Sequence, residues 1–421
     1  MRPHRTAPTS ESRLSMPVTH PLDEHDPLAA KRSAFSLPEG VIYLDGNSLG
    51  VLPAHVPDRM QQVIRKEWGE SLIRGWNDHD WIDLPQRVGD RIARLIGAAP
   101  GTVVAADSTS VNVFKVLAAA LALRPERRVI LSDNGNFPTD LYVASGLKDL
   151  LEQGHELRIV DPEDVEGAIG TDLAVLMLTE VDYKTGRRHD MKALTAKAHA
   201  AGALAIWDLA HSAGALPVDL ADAKADFAVG CGYKYLNGGP GAPAFLYIAP
   251  QHQDHVRPPL TGWMGHEAPF AFDLDYRPDS GIGRMRVGTP PVLSLSALDA
   301  ALDVFDGVDM AVLREKSVSL CELFLSEVEA RCPELALESP RDPERRGSQI
   351  SFRFDNGYAL MQALIAQGVI GDFRAPDTVR FGFTPLYLSH ADVVRAVDIL
   401  EKILNERLWD RDEFKKKQKV T

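Results

Sequence analysis

Cysteine is scarce in this chain, with three in 421 residues: Cys231, Cys321 and Cys332. Thiols so few and so scattered exclude a disulfide framework and a closed zinc site, so no metal centre is expected, and they point to a reducing, cytoplasmic setting. Long hydrophobic runs are also missing, so no membrane partner is expected. Basic charge is short: 46 Lys and Arg face 59 Asp and Glu, a net of -13. That balance argues against a nucleic-acid or anionic-membrane partner, either of which asks for a basic face. Residues 1–15 carry Arg, Ser and Thr but no apolar core, so they do not read as a secretory signal. They read as a disordered leader, or as sequence upstream of a start at Met16.

What is present is ordinary for a globular protein, at 45% hydrophobic and 25% charged. From about Trp68 to Leu293, helical patterns alternate with short apolar runs, the signature of α/β layering. The runs Arg128 to Ser132, Leu173 to Val181, Ala203 to Asp208 and Asp226 to Cys231 lack alternation, as strands covered on both faces do. Met191 to Ala201 reads as a helix between them. Beyond Asp309 the texture changes. Leu313, Ser317, Leu320, Phe324 and Val328 recur at helical spacing, and "QISFRFD" and "TVRFGF" alternate as half-buried strands. A last helix opens at Ser389, with Asp392 completing a capping box. The expected division is a leader at 1–15, an N-terminal segment at 16–65 packing with the small domain, a large domain at 66–308, and a small α+β domain at 309–421.

Ligands of open α/β sheets sit beyond the C-terminal strand ends, and four such places carry chemistry. Ser108, Thr109 and Ser110 precede a long apolar helix expected to start near Val111, where free amides and hydroxyls form an anion cup. The same residues serve as ordinary helix caps elsewhere. Phe137 and Asp140 follow the Val129 strand on a Pro-bearing loop, an aromatic face beside a carboxylate. Asp208 ends a buried strand, with His211 three residues on, and a carboxylate at that depth needs a cationic or hydrogen-bonding partner. Lys234 then sits in "GYKYLNGGPG", between Tyr233 and Tyr235 and among glycines that permit close approach. A lysine whose pKa is lowered by burial forms Schiff bases with aldehydes. A phosphate cup, a ring stacker, a strand-end carboxylate and an aldehyde-binding lysine, in that order, are the needs of pyridoxal 5'-phosphate.

On these segments the chain resembles the kynureninase family, of bacterial type, within the class V, fold type I, aspartate-aminotransferase-like pyridoxal phosphate enzymes. The matching stretches are "YLDGNSLG", "DSTSVN", "NFPTD", "WDLAHSAG", "GYKYLNGGPG", "GWMGH", "RVGTPP" and "VRFGFTPLY". "GNSLG", "NGGPG" and "GWMGH" separate this family from the rest of class V. The resemblance implies a large domain with a mainly parallel seven-stranded sheet between helices, plus a small α+β domain. It implies that Lys234 bonds the cofactor aldehyde and acts as base at the substrate Cα, and that Asp208 pairs with the pyridine nitrogen beside His211. Phe137 would stack on the ring, Asp140 would sit near its polar edge, and Thr109 and Ser110 would bind phosphate. Tyr233 would reach the phosphate and donate a proton. Trp263 and Thr289 would complete the site of the partner subunit, which makes a homodimer with shared sites part of the expectation. Arg380 would clamp the substrate carboxylate near Asn47 and Ser48. Animal relatives that favour the 3-hydroxylated substrate carry His and Asn where this chain has Trp76 and Thr289. L-Kynurenine is therefore expected over 3-hydroxykynurenine, cleaved with water to anthranilate and L-alanine.

Two rivals stand beside this expectation. A class V cysteine desulfurase or selenocysteine lyase needs a mobile catalytic cysteine late in the chain, whereas Cys321 falls on a predicted helix and Cys332 directly follows it. A catalytically silent binding protein of the same fold would be expected to lose Lys234 or Asp208, and both are present.

Overall fold

The computed structural model describes residues 19–418, so the expected leader and Met16 lie outside the described residues. The strands in chain order are β1 Ile42–Tyr43, β2 Val103–Ala105, β3 Val129–Asp133, β4 Glu156–Val160, β5 Leu173–Thr179, β6 Leu204–Asp208 and β7 Phe227–Cys231. They continue with β8 Ala244–Ile248, β9 Ala336–Leu337, β10 Gln349–Arg353, β11 Val369–Ile370, β12 Asp372–Arg374 and β13 Thr378–Gly382. Seven of them form one sheet in the order β2-β8-β7-β6-β5-β3-β4. β3 to β7 pair in parallel, and only β8 runs against its neighbours. A second, four-stranded antiparallel sheet has the order β12-β13-β10-β9. The expected α/β architecture with a small α+β unit is the observed one.

Burial explains why the large-sheet strands lack alternation. Every residue of β3, β5, β6, β7 and β8 is buried, because helices cover both faces. Burying Val175, Leu176 and Leu178 of β5 contributes roughly 1.5–3 kcal/mol each. Edge strand β4 is part-exposed or exposed at every position instead. The parallel arrangement puts the C-terminal ends of β3, β5, β6 and β7 along one rim, with Asp133, Thr179, Asp208 and Cys231 at the ends.

The small sheet corrects one expectation. β10 and β13 were expected to be half-buried, yet Gln349, Ser351 and Arg380 on their polar face are as sealed as Ile350, Phe352 and Phe381. The polar face lies against the loop after β5: Gln349 Nε2 donates to Tyr183 O at 3.2 Å, and Ser351 Oγ to Lys184 O at 2.6 Å. Alternation marks one apolar face; it does not report that another unit covers the polar one. On the apolar side, Phe324 of the helix Met310–Arg331 packs on Phe352, Phe381 and Phe383.

The chain's beginning is strapped to its end. Asp23 accepts from the backbone N–H groups of His390 and Ala391, capping the helix His390–Asn405. The expected Ser389–Asp392 capping box is present on the same helix. Asp26 meets the buried Lys316 at 2.7 Å. The strap then enters β1, which pairs in parallel with β11 and carries Asp45 to Gly50 toward the rim.

Candidate active site

The cup begins with Ser108, whose extended backbone and side chain cap the helix Thr109–Ala122 by accepting from Val111 N. The helix therefore starts at Thr109, two residues before the expected Val111. The difference favours anion binding, because Thr109 and Ser110 occupy the first turn, where amides have no helical acceptor. Asp107 just ahead holds a left-handed backbone (φ 53°) and pairs with the buried Lys115 at 2.6 Å. Lys115 also donates to Met285 O at 2.8 Å, tying the cup to the segment before Arg286.

Phe137 and Asp140 were expected on a loop. Phe137 instead caps the helix Pro138–Leu151, and Asp140 lies in its first turn, because Pro138 suits the first helical position. The Phe137 ring is half-exposed and meets Tyr183 edge-on at 5.2 Å. Asp140 is buried and its Oδ2 has no hydrogen-bond partner. Burial, with the nearby Asp208 charge, pushes its carboxyl well above the usual carboxylate range. Asp208, at the end of β6, accepts from Ala210 N at 2.8 Å, the turn-capping role open to any such Asp. Burial raises its pKa too, and Lys234 opposes that rise. Of the two acids, Asp140 holds a proton more readily, because it lacks the donor that Asp208 has.

Lys234 is part-buried, with Nζ 3.2 Å from Nε2 of the buried His211. Burial lowers the pKa of Lys234, and burial followed by the Lys234 charge holds His211 well below the usual histidine range. The loop is held from two sides. Gly50 N donates to Tyr233 O at 2.8 Å, and a Cβ on Gly50 would stand 2.3 Å from Lys234 O, so only glycine lets the N-terminal segment lie so close. Tyr235 is buried beside Val181 and Leu216 and donates to Ser348 O at 3.2 Å, tying the lysine loop to the approach to β10. In "NGGPG", Asn237, Gly239 and Gly241 all have positive φ, which explains the run of small residues.

Arg380 projects from the covered face of β13. Its Nε donates to Asp372 Oδ1 at 2.7 Å, its Nη2 to Ser48 Oγ at 2.8 Å and to Asp372 Oδ2, and its Nη1 to Tyr183 O. Asn47 is buried nearby with its Nδ2 3.4 Å from Gln349 Oε1, and its Oδ1 is unpartnered. The charges of Arg380 and Arg374 both reach Lys234 and His211, and Lys234 reaches Asp140 and Asp208, so acids, lysine and arginines lie in one region.

Full-length comparison identifies the relatives of this arrangement. Over 407 residues, covering 95% of this chain and 98% of the relative, it is 55% identical to a kynureninase of Pseudomonas fluorescens. A kynureninase of Burkholderia pseudomallei is 53% identical over the same shares. The chain belongs to the kynureninase family. Residues 313–400 match the family model of the kynureninase C-terminal domain. Distant solved structures share the fold. One is an apo cysteine desulfurase from Thermococcus onnurineus (TM-score 0.76, 20% identity, 90% of this chain and 98% of that one). Another is a C-DES K223A mutant with glycine covalently linked to its PLP cofactor (TM-score 0.72, 17% identity, 86% and 97%).

Kynureninase membership implies pyridoxal phosphate, and the residues fit it. The buried Asp208 calls for a nearby proton-bearing cation, which a pyridinium provides, and the unpartnered Oδ2 of Asp140 calls for a hydrogen-bond partner. A lysine with lowered pKa suits Schiff-base formation, and the first turn at Thr109 suits a phosphate. Kynureninase chemistry also accords with the thiols. Cys321 lies within the helix Met310–Arg331, all three cysteines are buried, and burial pushes Cys321 up to about 11. None resembles the exposed loop nucleophile of the desulfurase rival.

Three expected residues stand apart from this group within one chain. Trp76 packs edge-on against Trp81 at 6.1 Å, Trp263 against Phe270 at 5.7 Å, and Thr289 is exposed. Among the described residues, none of the three bonds to the Lys234–Arg380 group. Sequence reasoning missed Asp372, Arg374, Tyr183 and Asp45. The first two alternate along β12, but only the strand register, Asp372 opposite Arg380, brings them here.

Proposed function

We propose that the chain cleaves the Cβ–Cγ bond of L-kynurenine with water, giving anthranilate and L-alanine. The carrying observation is the pairing of part-buried Lys234 with buried His211 beside Asp208 at the strand ends, within a chain 55% identical to a kynureninase over nearly its full length. Pyridoxal phosphate, bound here, supplies an electron sink for charge developing at the substrate Cα.

The protein does the rest. Thr109 and Ser110 would hold the phosphate through amides and hydroxyls, Phe137 would stack on the ring, and Asp208, with His211 beside it, would keep the pyridine nitrogen protonated. Asp140 sits at the ring's polar edge. Lys234 would hold the cofactor through its aldehyde and, as a free amine, would take the substrate Cα proton; burial lowers its pKa toward the neutral form that task needs. Tyr233 reaches the phosphate and is the proton donor to Cβ. Burial raises its phenol pKa, so the proton is present when needed. Arg380, with Asn47 and Ser48, receives the substrate carboxylate. Water adds to the aryl ketone, the Cβ–Cγ bond breaks with its electron pair left on Cβ, and the carbonyl carbon leaves as the carboxyl of anthranilate.

Residues 66–308 form the cofactor-binding domain in this reading, 309–421 the small domain, and 16–65 the segment packed on it. Trp263 and Thr289 serve the neighbouring site of a homodimer. The exposed apolar side chains Phe270, Phe272 and Leu274 near Trp263 support such an interface. Trp76 and Thr289 favour the unhydroxylated ring, since a hydroxyl without a partner is costly to bury. The three free thiols support a cytoplasmic location. The test is anthranilate fluorescence after adding L-kynurenine to the cofactor-loaded protein, run beside sulfide release from L-cysteine. Sulfide without anthranilate overturns the reading. Sedimentation checks the dimer, and kcat/KM for the two kynurenines checks the preference.

A further inference from the structure

A carboxylate clamp needs free guanidinium N–H groups, and Arg380 has few left. Of its five N–H groups, four are committed: two to Asp372, one to Ser48 and one to Tyr183 O. Its side chain is 1% exposed, and Asp372 is its direct cross-strand partner, so the pair is built into the sheet. Arg374 lies two residues beyond Asp372 on β12, which places it on the same face. Its Nη2 meets Asp372 Oδ2 at 2.7 Å and Ser48 Oγ at 3.4 Å. Among the described residues its Nε and Nη1 have no acceptor, and its side chain is 36% exposed.

We propose that Arg374 is a second guanidinium of the carboxylate site, presenting a free N–H donor to the α-carboxylate of the amino-acid substrate while Asp372 locks Arg380 in place. This rests on the functional reading above. Arg380 then supplies fixed charge and one remaining N–H, and Arg374 supplies a second charge and the uncommitted N–H groups of its Nε and Nη1. The charge count agrees. Two arginines against Asp372 leave one positive charge, which a single carboxylate neutralises. Asp45 stands beside them with its Oδ1 unpartnered, and burial and Asp372 push its carboxyl up to about 7. Near neutrality it therefore subtracts less than a full charge. Arg374 also bears on Lys234 and His211, so its charge lies within reach of the reacting end of the substrate.

The test uses cofactor-loaded protein and two non-reacting probes, 3-benzoylpropionate and its neutral amide, titrated by calorimetry. The acid carries the aryl ketone and carboxylate of the substrate without the amine, and the amide keeps that shape without charge. Arg374→Met is expected to weaken the acid by at least about tenfold, the scale of a lost hydrogen bond to a charged group, and to leave the amide within about twofold. Arg374→Lys restores part of the loss, since it returns the charge without the guanidinium's spread of donors. The visible absorbance of bound cofactor reports that each variant is folded. If the methionine variant loses that absorbance, Arg374→Gln, which keeps a donor for Asp372 and Ser48, carries the same comparison. Unchanged acid affinity, with unchanged KM for L-kynurenine, overturns the inference while the functional reading stands. A wild type that releases no anthranilate overturns that reading instead.

Discussion

Lys234 Nζ and His211 Nε2 face each other at 3.2 Å in a largely desolvated site, so the two cannot both carry a proton's charge cheaply. His211 is the neutral member, because burial and Lys234 both lower its proton affinity. Lys234→Ala is expected to abolish the visible absorbance of the protein-bound cofactor Schiff base. Anthranilate release should fall by at least about 10²–10⁴-fold, the usual scale of a lost acid–base group. Absorbance spectra and anthranilate fluorescence check both. A variant that retains the visible band would remove Lys234 from its assigned place.

Asp140 and Asp208 should respond differently to the same neutral replacement. Asp140 lacks a donor at Oδ2 and is pushed toward its protonated form, so Asp140→Asn keeps both charge state and shape. Its kcat/KM is expected to stay within about tenfold of wild type. Asp208→Asn removes the charge that faces Lys234 and the proposed pyridinium, and should cost at least about 10²-fold. Equal losses in steady-state assays would contradict the asymmetry.

The legible part of this site was the part fixed by local order. Asp208 and Lys234 could be placed because β6 and β7 are apolar runs that end where those residues follow. Ser389 with Asp392 announced its helix because capping is a contact between near neighbours. Register and coverage were not legible. That Asp372 faces Arg380, that the polar face of β10 is buried by the loop at Tyr183, and that Asp23 caps a helix at His390 all join distant segments. Tyr235 had no sequence rationale for the same reason, since its partners are Ser348, Val181 and Leu216. Thr109 was placed ahead of its helix because apolar periodicity begins only at Val111, while the helix begins where Ser108 caps it.

Lys115 should matter for cofactor affinity without touching the cofactor. Its side chain is fully buried and bridges Asp107, in its left-handed conformation, to Met285 O. Lys115→Met leaves Asp107 without its counter-ion at the entrance to the proposed phosphate cup. Because Asp107 is part exposed, the stability cost should be about 1–3 kcal/mol, below the range for fully buried broken pairs. Urea denaturation checks the stability. Equilibrium dialysis with pyridoxal phosphate should show weakened binding, and unchanged binding would mean that the cup does not depend on this bridge.

At the other end of the sheet, Asp226 precedes β7 and gathers two histidines. His199 Nε2 lies 2.7 Å from its Oδ2, His252 Nε2 2.7 Å from its Oδ1, and Ala205 N donates to Oδ2 at 2.8 Å. Burial alone would raise the Asp226 pKa, but the His199, His252 and Ala205 contacts more than offset it, so the carboxyl is held below its usual value. The hydrogen bond to Asp226 raises His199 against the effect of burial. A depressed acid contributes stability above its unfolded pKa and loses it as pH falls through the folded value. A raised histidine contributes below its unfolded pKa and loses it as pH rises through the folded value. Both contributions are therefore full between about pH 4 and 6.5, the unfolded values of the two groups. Asp226→Asn should lower the melting temperature most in that window, with a histidine-dependent share of about 1 kcal/mol after discounting for the partial exposure of His199. The gap between variant and wild type should narrow as pH rises through the His199 titration. Thermal unfolding followed from pH 4.5 to about 8.5 checks this, and a gap independent of pH would show that Asp226 acts only through Ala205 N.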